Sequence, residues 1–172
     1  MKTAWIVAVA LSAAVLAGAG GCAGYTTASQ YRPDVSTVAV SIFQRGTEEY
    51  RRDIEIRLTE AISKRIEQET PYKVVDRDHA DTELTGTLTR VTKTPLAFDP
   101  RTGEAREFQV RLIVDFVWKD LRTGKELAKR TAMPVAAGYV PEDPFSHDFF
   151  QGSEDALNRM AARVVENMAN PW

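Results

Sequence analysis

The apolar spacing of this chain predicts an α+β fold: a two-layer sandwich with a mostly antiparallel, four-stranded mixed sheet and two helices on one face, in the order β-α-β-β-β-α. Three observations predict it. Phe108, Val110, Leu112, Val114, Phe116 and Trp118 alternate with a more polar set, the period of a strand buried on one side. Apolar residues recur at helical spacing in two places, from Ile54 to Ile66 and from Ala156 to Met168. The tripeptide Arg-Thr-Gly appears at 101–103 and again at 122–124, each time between strand-like segments, which marks two hairpin tips rather than a domain repeat. Consecutive antiparallel strands flanked by two amphipathic helices pack best as two layers.

The elements follow in order. Residues 35–43, VSTVAVSIF, are rich in β-branched side chains and predict a strand with Val38, Val40 and Ile42 on one face. Thr47 followed by Glu48 and Glu49 has the chemistry of a helix start. Ile54, Leu58, Ala61, Ile62 and Ile66 then form one stripe up to Glu69, and Pro71 stops the helix. A short strand over 72–76 and an aspartate-rich turn over 76–80 lead into a strand over 82–92. There Leu84, Gly86 and Leu88 oppose Thr85, Thr87 and Thr89. DPRTGE at 99–104 turns the chain into the row from Phe108 to Trp118, and DLRTGKE at 120–126 turns it into a strand over 127–137. Residues 138–147 form a proline-punctuated loop. Ser153, before Glu154 and Asp155, is placed to cap the last helix, whose stripe is Ala156, Leu157, Met160, Ala161, Val164, Val165 and Met168. Both helices claim the same sheet face, so the other face is either a plain solvent face or a docking surface.

The N-terminus carries a different signal. Lys2, an apolar run from Trp5 to Leu16 and the small residues 17–21 have the three-part layout of a secretory signal. The run is short of the roughly 20 apolar residues a spanning helix needs. Cys22, the one cysteine of the chain, follows at once and resembles the cysteine of a bacterial lipobox, although Ala19 stands where that pattern carries leucine. Three outcomes stay open: lipidation of Cys22, a plain secretory signal with a free thiol, or an uncleaved anchor. The first predicts a signal peptide over 1–21, a lipidated tether over 22–34 and a single domain over 35–172. Diacylglycerol and an acyl chain such as palmitate anchor stably together, at about 0.8 kcal/mol per buried methylene. Ala23 rather than Asp after the cysteine favours the outer membrane in that class.

Composition narrows the function. At 172 residues, 44% hydrophobic and 27% charged, the chain holds enough apolar material for one cored domain. The formal net charge of −2 offers no overall footprint for nucleic acid. One cysteine excludes an internal disulfide and a multi-cysteine metal site. His79 lies among Asp76, Asp78 and Asp81, an arrangement that turn chemistry explains without a metal. His147 and Asp148 sit beside Phe145, Phe149 and Phe150 with no nucleophile motif nearby. A Gly-rich phosphate loop and a G-x-S-x-G elbow are both missing from the sequence, so neither catalysis nor a cofactor is expected. Basic residues gather at the hairpins: Arg90, Lys93, Arg101 and Arg106 near one, Arg122, Lys125, Lys129 and Arg130 near the other. They read either as solubilising edge charge or as a site for phosphate or carboxylate groups, with Thr85, Thr87 and Thr89 as added hydroxyls.

Three segments, GCAGYTTASQYRPDVSTVAVSIFQ, RRDIEIRLTEAISKRIEQETPYKVVDRDHADTELTGTLTRV and VDFVWKDLRTGKELAKR, resemble in that order the LptE family. The resemblance covers nearly all of the chain after the signal. It implies a non-catalytic outer-membrane lipoprotein with an α/β domain that docks in the lumen of an LptD-type β-barrel, binds lipopolysaccharide and assists its transport and assembly. Cys22 carries over as the lipidation site. Arg90, Lys93, Arg101 and Arg106 are the candidate lipopolysaccharide contacts, with the domain facing the periplasm and the barrel lumen. The strand-helix-strand start and YKVVDRDHADTELTG also resemble small lipoprotein domains that activate cell-wall synthases or build secretion assemblies. That alternative implies a protein partner or self-assembly instead of a glycolipid.

Overall fold

Residues 31–46, 53–141 and 149–169 are described by the computed structural model. In chain order the elements are β1 (Thr37–Val40), β2 (Gln44–Arg45), α1 (Ile54–Glu69), β3 (Lys73–Val74), a 3₁₀ turn (Arg77–His79), β4 (Thr82–Phe98), β5 (Ala105–Asp120), β6 (Glu126–Tyr139) and α2 (Phe149–Ala169). The strands form one mixed sheet in the order β3-β1-β4-β5-β6, with β2 also beside β4. β1 runs parallel to β3 and β4, whereas β4, β5 and β6 are antiparallel neighbours. The α+β class with two helices is as the sequence predicts, but the sheet has six strands, not four.

The two strands beyond four are the short one expected over 72–76 and a division of the first expected strand. Lys73 N–H donates to Ser36 O at 3.0 Å and Val75 N–H to Val38 O at 3.1 Å, which fixes the short segment after α1 as β3. The first expected strand breaks in two. Val40 pairs with Leu84 but Gln44 pairs with Thr87, so this side of the sheet carries one more residue than β4 across the same interval. Because strand side chains alternate, one extra residue reverses the inward face. Val38 is fully buried as expected, but Ile42 is 67% exposed and Phe43, not Ile42, enters the core at 1%. The Phe43 N–H donates to Thr59 Oγ1 of α1 at 3.0 Å, and its ring lies where a side chain on residue 86 would be. Gly86 is therefore required by packing: an added Cβ would fall on the Phe43 ring and 2.7 Å from Asp115 O.

The core is the space between one sheet face and the two helices. Ile54, Leu58, Ile62 and Ile66 of α1 and Ala156, Met160 and Val164 of α2 are fully buried against Leu84, Leu88, Val110, Leu112, Val114 and Trp118. Helix α1 ends where Pro71 predicts: Thr70 is extended, and its N–H and hydroxyl both reach Ile66 O. The expected cap of α1, Thr47, lies outside the described residues. For α2 the expected start is corrected. The helix begins at Phe149, so Ser153 is an internal, fully buried residue and not its cap. Gly152 keeps the first turns close to β6, since a Cβ there would meet the Tyr139 ring.

Both hairpin tips use one design, as the repeated tripeptide suggests. Asp99 Oδ1 accepts the N–H groups of Arg101 and Thr102, and Asp120 Oδ1 those of Arg122 and Thr123. Gly103 and Gly124 share a φ of 73°, a conformation that strains other residues. Asp81 does the equivalent work at the sheet start. Its Oδ2 accepts from Ser36 N–H, Thr37 N–H and the Thr37 hydroxyl at 2.9–3.0 Å, joining β1 to β4. Hydrogen bonds from backbone amides hold the carboxyls of Asp81, Asp99 and Asp120 below the usual carboxylate range. Residues 31–34 also lie against the domain, and burial pushes the Tyr72 phenol they touch upward, so it stays protonated.

Two measurements check this description. Gly86→Ala is expected to destabilise the fold by about 1–3 kcal/mol through overpacking against Phe43, and a denaturation midpoint unchanged from wild type would contradict the close approach. The depressed carboxyls contribute stability that is complete above their unfolded value of about 4 and is lost as pH falls through their lower folded values. Thermal stability should thus decline below about pH 4, and the non-titrating Asp81→Asn should flatten that decline; an acid limb of unaltered slope in the variant would argue against Asp81.

Candidate functional site

With both helices on one side, the alternate residues of the sheet face outward without a covering element among the described residues. On β5 these are the odd-numbered positions around Ile113, Asp115 and Val117; on β4 they are Thr85 and Thr87. Two irregularities hollow this face. The β1–β2 break lifts Ile42 to one rim. Opposite it, Val114 pairs with Met133 but Phe116 with Arg130, so β6 bulges by one residue. Ala132 sits in the bulge with φ 52°, and its N–H donates to Asp115 Oδ1 at 2.6 Å. A left-handed alanine costs about 1–2 kcal/mol, which the charge-assisted hydrogen bond offsets.

The resulting hollow of about 320 Å³ brings Gln44, Thr85, Thr87, Lys129, Arg130 and Thr131 together, with Ile42 and Val117 as apolar walls. Hydroxyls, an amide and two cations around a shallow floor suit hydrogen bonding and charge pairing with a polyhydroxylated anion. Asp115 is committed to the bulge rather than to proton transfer. Arg130 Nη1 donates to Lys129 O at 2.9 Å and Lys129 Nζ is 3.5 Å from Glu126, so both cations are already positioned.

The sequence-predicted residues are distributed differently. Arg90 pairs across the sheet with Ile113, on the open face, whereas Lys93 pairs with core-facing Val110, on the helix side. Strand alternation separates the two, a bulge between Leu88 and Arg90 decides which face each takes, and Thr89 leaves the threonine row there, half-buried. Lys93 Nζ lies 3.9 Å from the centre of the Phe108 ring, which stacks on Tyr139 at 5.8 Å. Arg106 Nη1 is 3.4 Å from Asp99 Oδ2 in the 99–104 turn, where Arg101 is exposed beside it. Lys93, Arg101 and Arg106 therefore belong to the far hairpin end, with half-exposed Leu96 and Phe98, and Arg90 stands apart. Arg122 and Lys125 are exposed on the other turn. Of the predicted basic residues, Lys129 and Arg130 meet in the open-face hollow, a juxtaposition that depends on the β6 bulge.

Asp76, Asp78 and His79 surround the 3₁₀ turn, and Asp81 is bound to backbone amides. Among the described residues no group of three or more His, Cys, Asp and Glu side chains is gathered to hold a metal ion. No described helix is long and apolar enough to cross a membrane. Cys22, His147 and Asp148 lie outside the described residues.

Comparison with known proteins follows the same architecture. A family model for lipopolysaccharide assembly, LptE, matches residues 35–171. No curated protein matches the chain. Among solved structures, lipoprotein B of Nitrosomonas europaea superposes with a TM-score of 0.54 at 13% identity, covering 84% of this chain and 88% of its own. A Xanthomonas campestris protein gives 0.54 at 10% identity over 84% and 92% of the two chains. The PelC dodecamer of Paraburkholderia phytofirmans gives 0.50 at 15% identity over 83% and 95%. At these identities the likenesses show a shared fold.

The bulge is open to a direct check. Glycine inside a strand normally costs about 0.5–1 kcal/mol, but Ala132→Gly is expected to be neutral or stabilising by up to about 1 kcal/mol because it relieves the left-handed strain. Asp115→Ala is expected to lower stability by about 1–3 kcal/mol. Chemical denaturation of both variants measures this, and an ordinary glycine penalty at 132 would contradict the strain.

Proposed function

The chain belongs to the LptE family of lipopolysaccharide-assembly proteins, and on that premise we propose that it is a non-catalytic outer-membrane lipoprotein that docks in an LptD-type β-barrel. In this role it assists lipopolysaccharide transport and assembly. The observation that carries the reading is the family match, which takes in every described strand and both helices. The fold supports it physically. A domain covered on one face and open on the other suits a protein held against a larger partner. The hollow's chemistry is that of a binding surface, with its one carboxylate engaged in backbone support.

The anchor in this proposal is Cys22, following cleavage of a signal peptide over residues 1–21, with the domain facing the periplasm and the barrel lumen. The glycolipid contacts are Lys93, Arg101 and Arg106 toward the 99–104 hairpin turn, with Arg90 on the opposite sheet face as a separate contact. Charge-assisted pairing of these side chains with phosphate oxygens is the recognition chemistry.

One observation favours a second reading, a part in a secretion assembly or in activation of a cell-wall synthase. The fold is shared with PelC, a protein solved as a dodecamer. Partner and stoichiometry separate the two readings.

Affinity purification of the tagged, full-length protein from membranes in mild detergent is expected to recover one large β-barrel protein. Recovery of a homo-oligomeric ring or a peptidoglycan synthase, without a barrel, would overturn the translocon reading in favour of the second. The combined reversal Lys93→Glu, Arg101→Glu and Arg106→Glu is expected to weaken glycolipid binding by about tenfold, at roughly 0.5 kcal/mol per exposed charge. Unchanged binding would return those residues to ordinary surface charge.

A further inference from the structure

The end of the polar N-terminal segment is built into the domain. The Tyr31 hydroxyl donates to Glu69 O at 2.8 Å, satisfying a last-turn carbonyl of α1 that has no partner within the helix. The Tyr31 ring meets Tyr72 edge-on, with centroids 5.8 Å apart and planes at 80°. The Arg32 N–H donates to the Tyr72 hydroxyl at 2.9 Å, and the Arg32 guanidinium grips Asp34 through Nε at 3.1 Å and Nη2 at 2.9 Å. Tyr72 is 1% exposed and packs on Trp118 with centroids 5.7 Å apart. Residues 31–34 are thus a strap joined to the core, not loose chain.

The strap leaves the domain at one end of the sheet. Asp34 and Val35 share a surface hollow with Asp81, Asp120 and Arg122 of the second hairpin turn. The first hairpin turn, at 99–104, lies at the opposite end of β4, whose 17 residues span about 55 Å at the usual strand rise. From Cys22 to Tyr31 the backbone reaches at most about 32 Å even when fully extended.

We infer that the docked strap makes the Asp120–Lys125 turn the membrane-proximal end of the lipidated protein and the Asp99–Glu104 turn its distal end. This rests on the proposed lipidation of Cys22. The consequence is functional: Leu96, Phe98, Arg101 and Arg106 are presented away from the leaflet the chain hangs from, so whatever they contact is not that leaflet's surface. Undocking the strap would lengthen the free tether and loosen this polarity.

The near-identical turns provide a matched pair of probes, because Thr102 and Thr123 occupy equivalent positions and accept equivalent backbone bonds. Full-length lipidated protein carrying Thr123→Cys or Thr102→Cys is labelled with a donor dye. It is then reconstituted in phosphatidylethanolamine–phosphatidylglycerol vesicles with a headgroup-linked acceptor. Energy transfer is expected to be several-fold higher from position 123 than from 102, and the contrast is expected to shrink in Tyr31→Ala and less so in Tyr31→Phe. Equal transfer from the two positions, or more from 102, would overturn the inference while the protein still floats with vesicles. A contrast unaffected by Tyr31→Ala in a folded variant would remove the strap as its cause. Failure to float would instead strike the lipidation reading, and the inference with it, before transfer is measured.

Discussion

The burial of one row of side chains on β5 is the constraint from which the rest of the molecule follows. Val110, Leu112, Val114, Phe116 and Trp118 are each no more than 1% exposed, and both helices lay their apolar stripes against that side of the sheet. Full burial of such residues stabilises by about 1.5–3 kcal/mol each, so the row supplies on the order of 10 kcal/mol, comparable with the whole net stability of a domain. A one-residue slip of β5 would turn every member outward. The register of the long hairpins is therefore fixed, and so is the identity of the outward face.

Once the inward face is fixed, the irregularities acquire a direction. The β1–β2 break sends Phe43 inward over Gly86 and leaves Ile42 outside. The bulge at Ala132, held by Asp115, sets Lys129, Arg130 and Thr131 around the opposite rim of the hollow. Packing thus determines where the polar chemistry of the open face collects. Family membership places the chain in lipopolysaccharide assembly, and the fold shared with lipoprotein B shows how widely one backbone is spread across sequences of low identity.

Much of this was legible in the residues. The β5 alternation, both helical stripes and the paired Asp-x-Arg-Thr-Gly turns are local patterns, and local patterns survive folding when the core agrees with them. What was not legible depends on distant partners. The face reversal at Phe43 exists because Thr59 accepts its N–H and Gly86 leaves room for its ring, and neither fact lies in the VSTVAVSIF segment. The three-residue spacing of Arg90 and Lys93 already separates them, but which of the two meets the open face is set by the bulge between Leu88 and Arg90. Ser153 has the residue type and the acidic followers of a cap, yet the helix extends four residues further back. Lys129 and Arg130 were visible as charge but not as a site, because the hollow is made by strands far apart in sequence.

In the proposed docking, the sheet face opposite the helices is the one that meets the barrel partner. Site-specific photo-crosslinking in cells tests it most directly, with the photoreactive residue at Thr85 or Val117 on the open face and at Glu67 or Asn158 on the outer helix surface. Adducts to a β-barrel partner or to lipopolysaccharide from Thr85 and Val117, with little from Glu67 and Asn158, are the result expected. Adducts confined to the helix positions would contradict it.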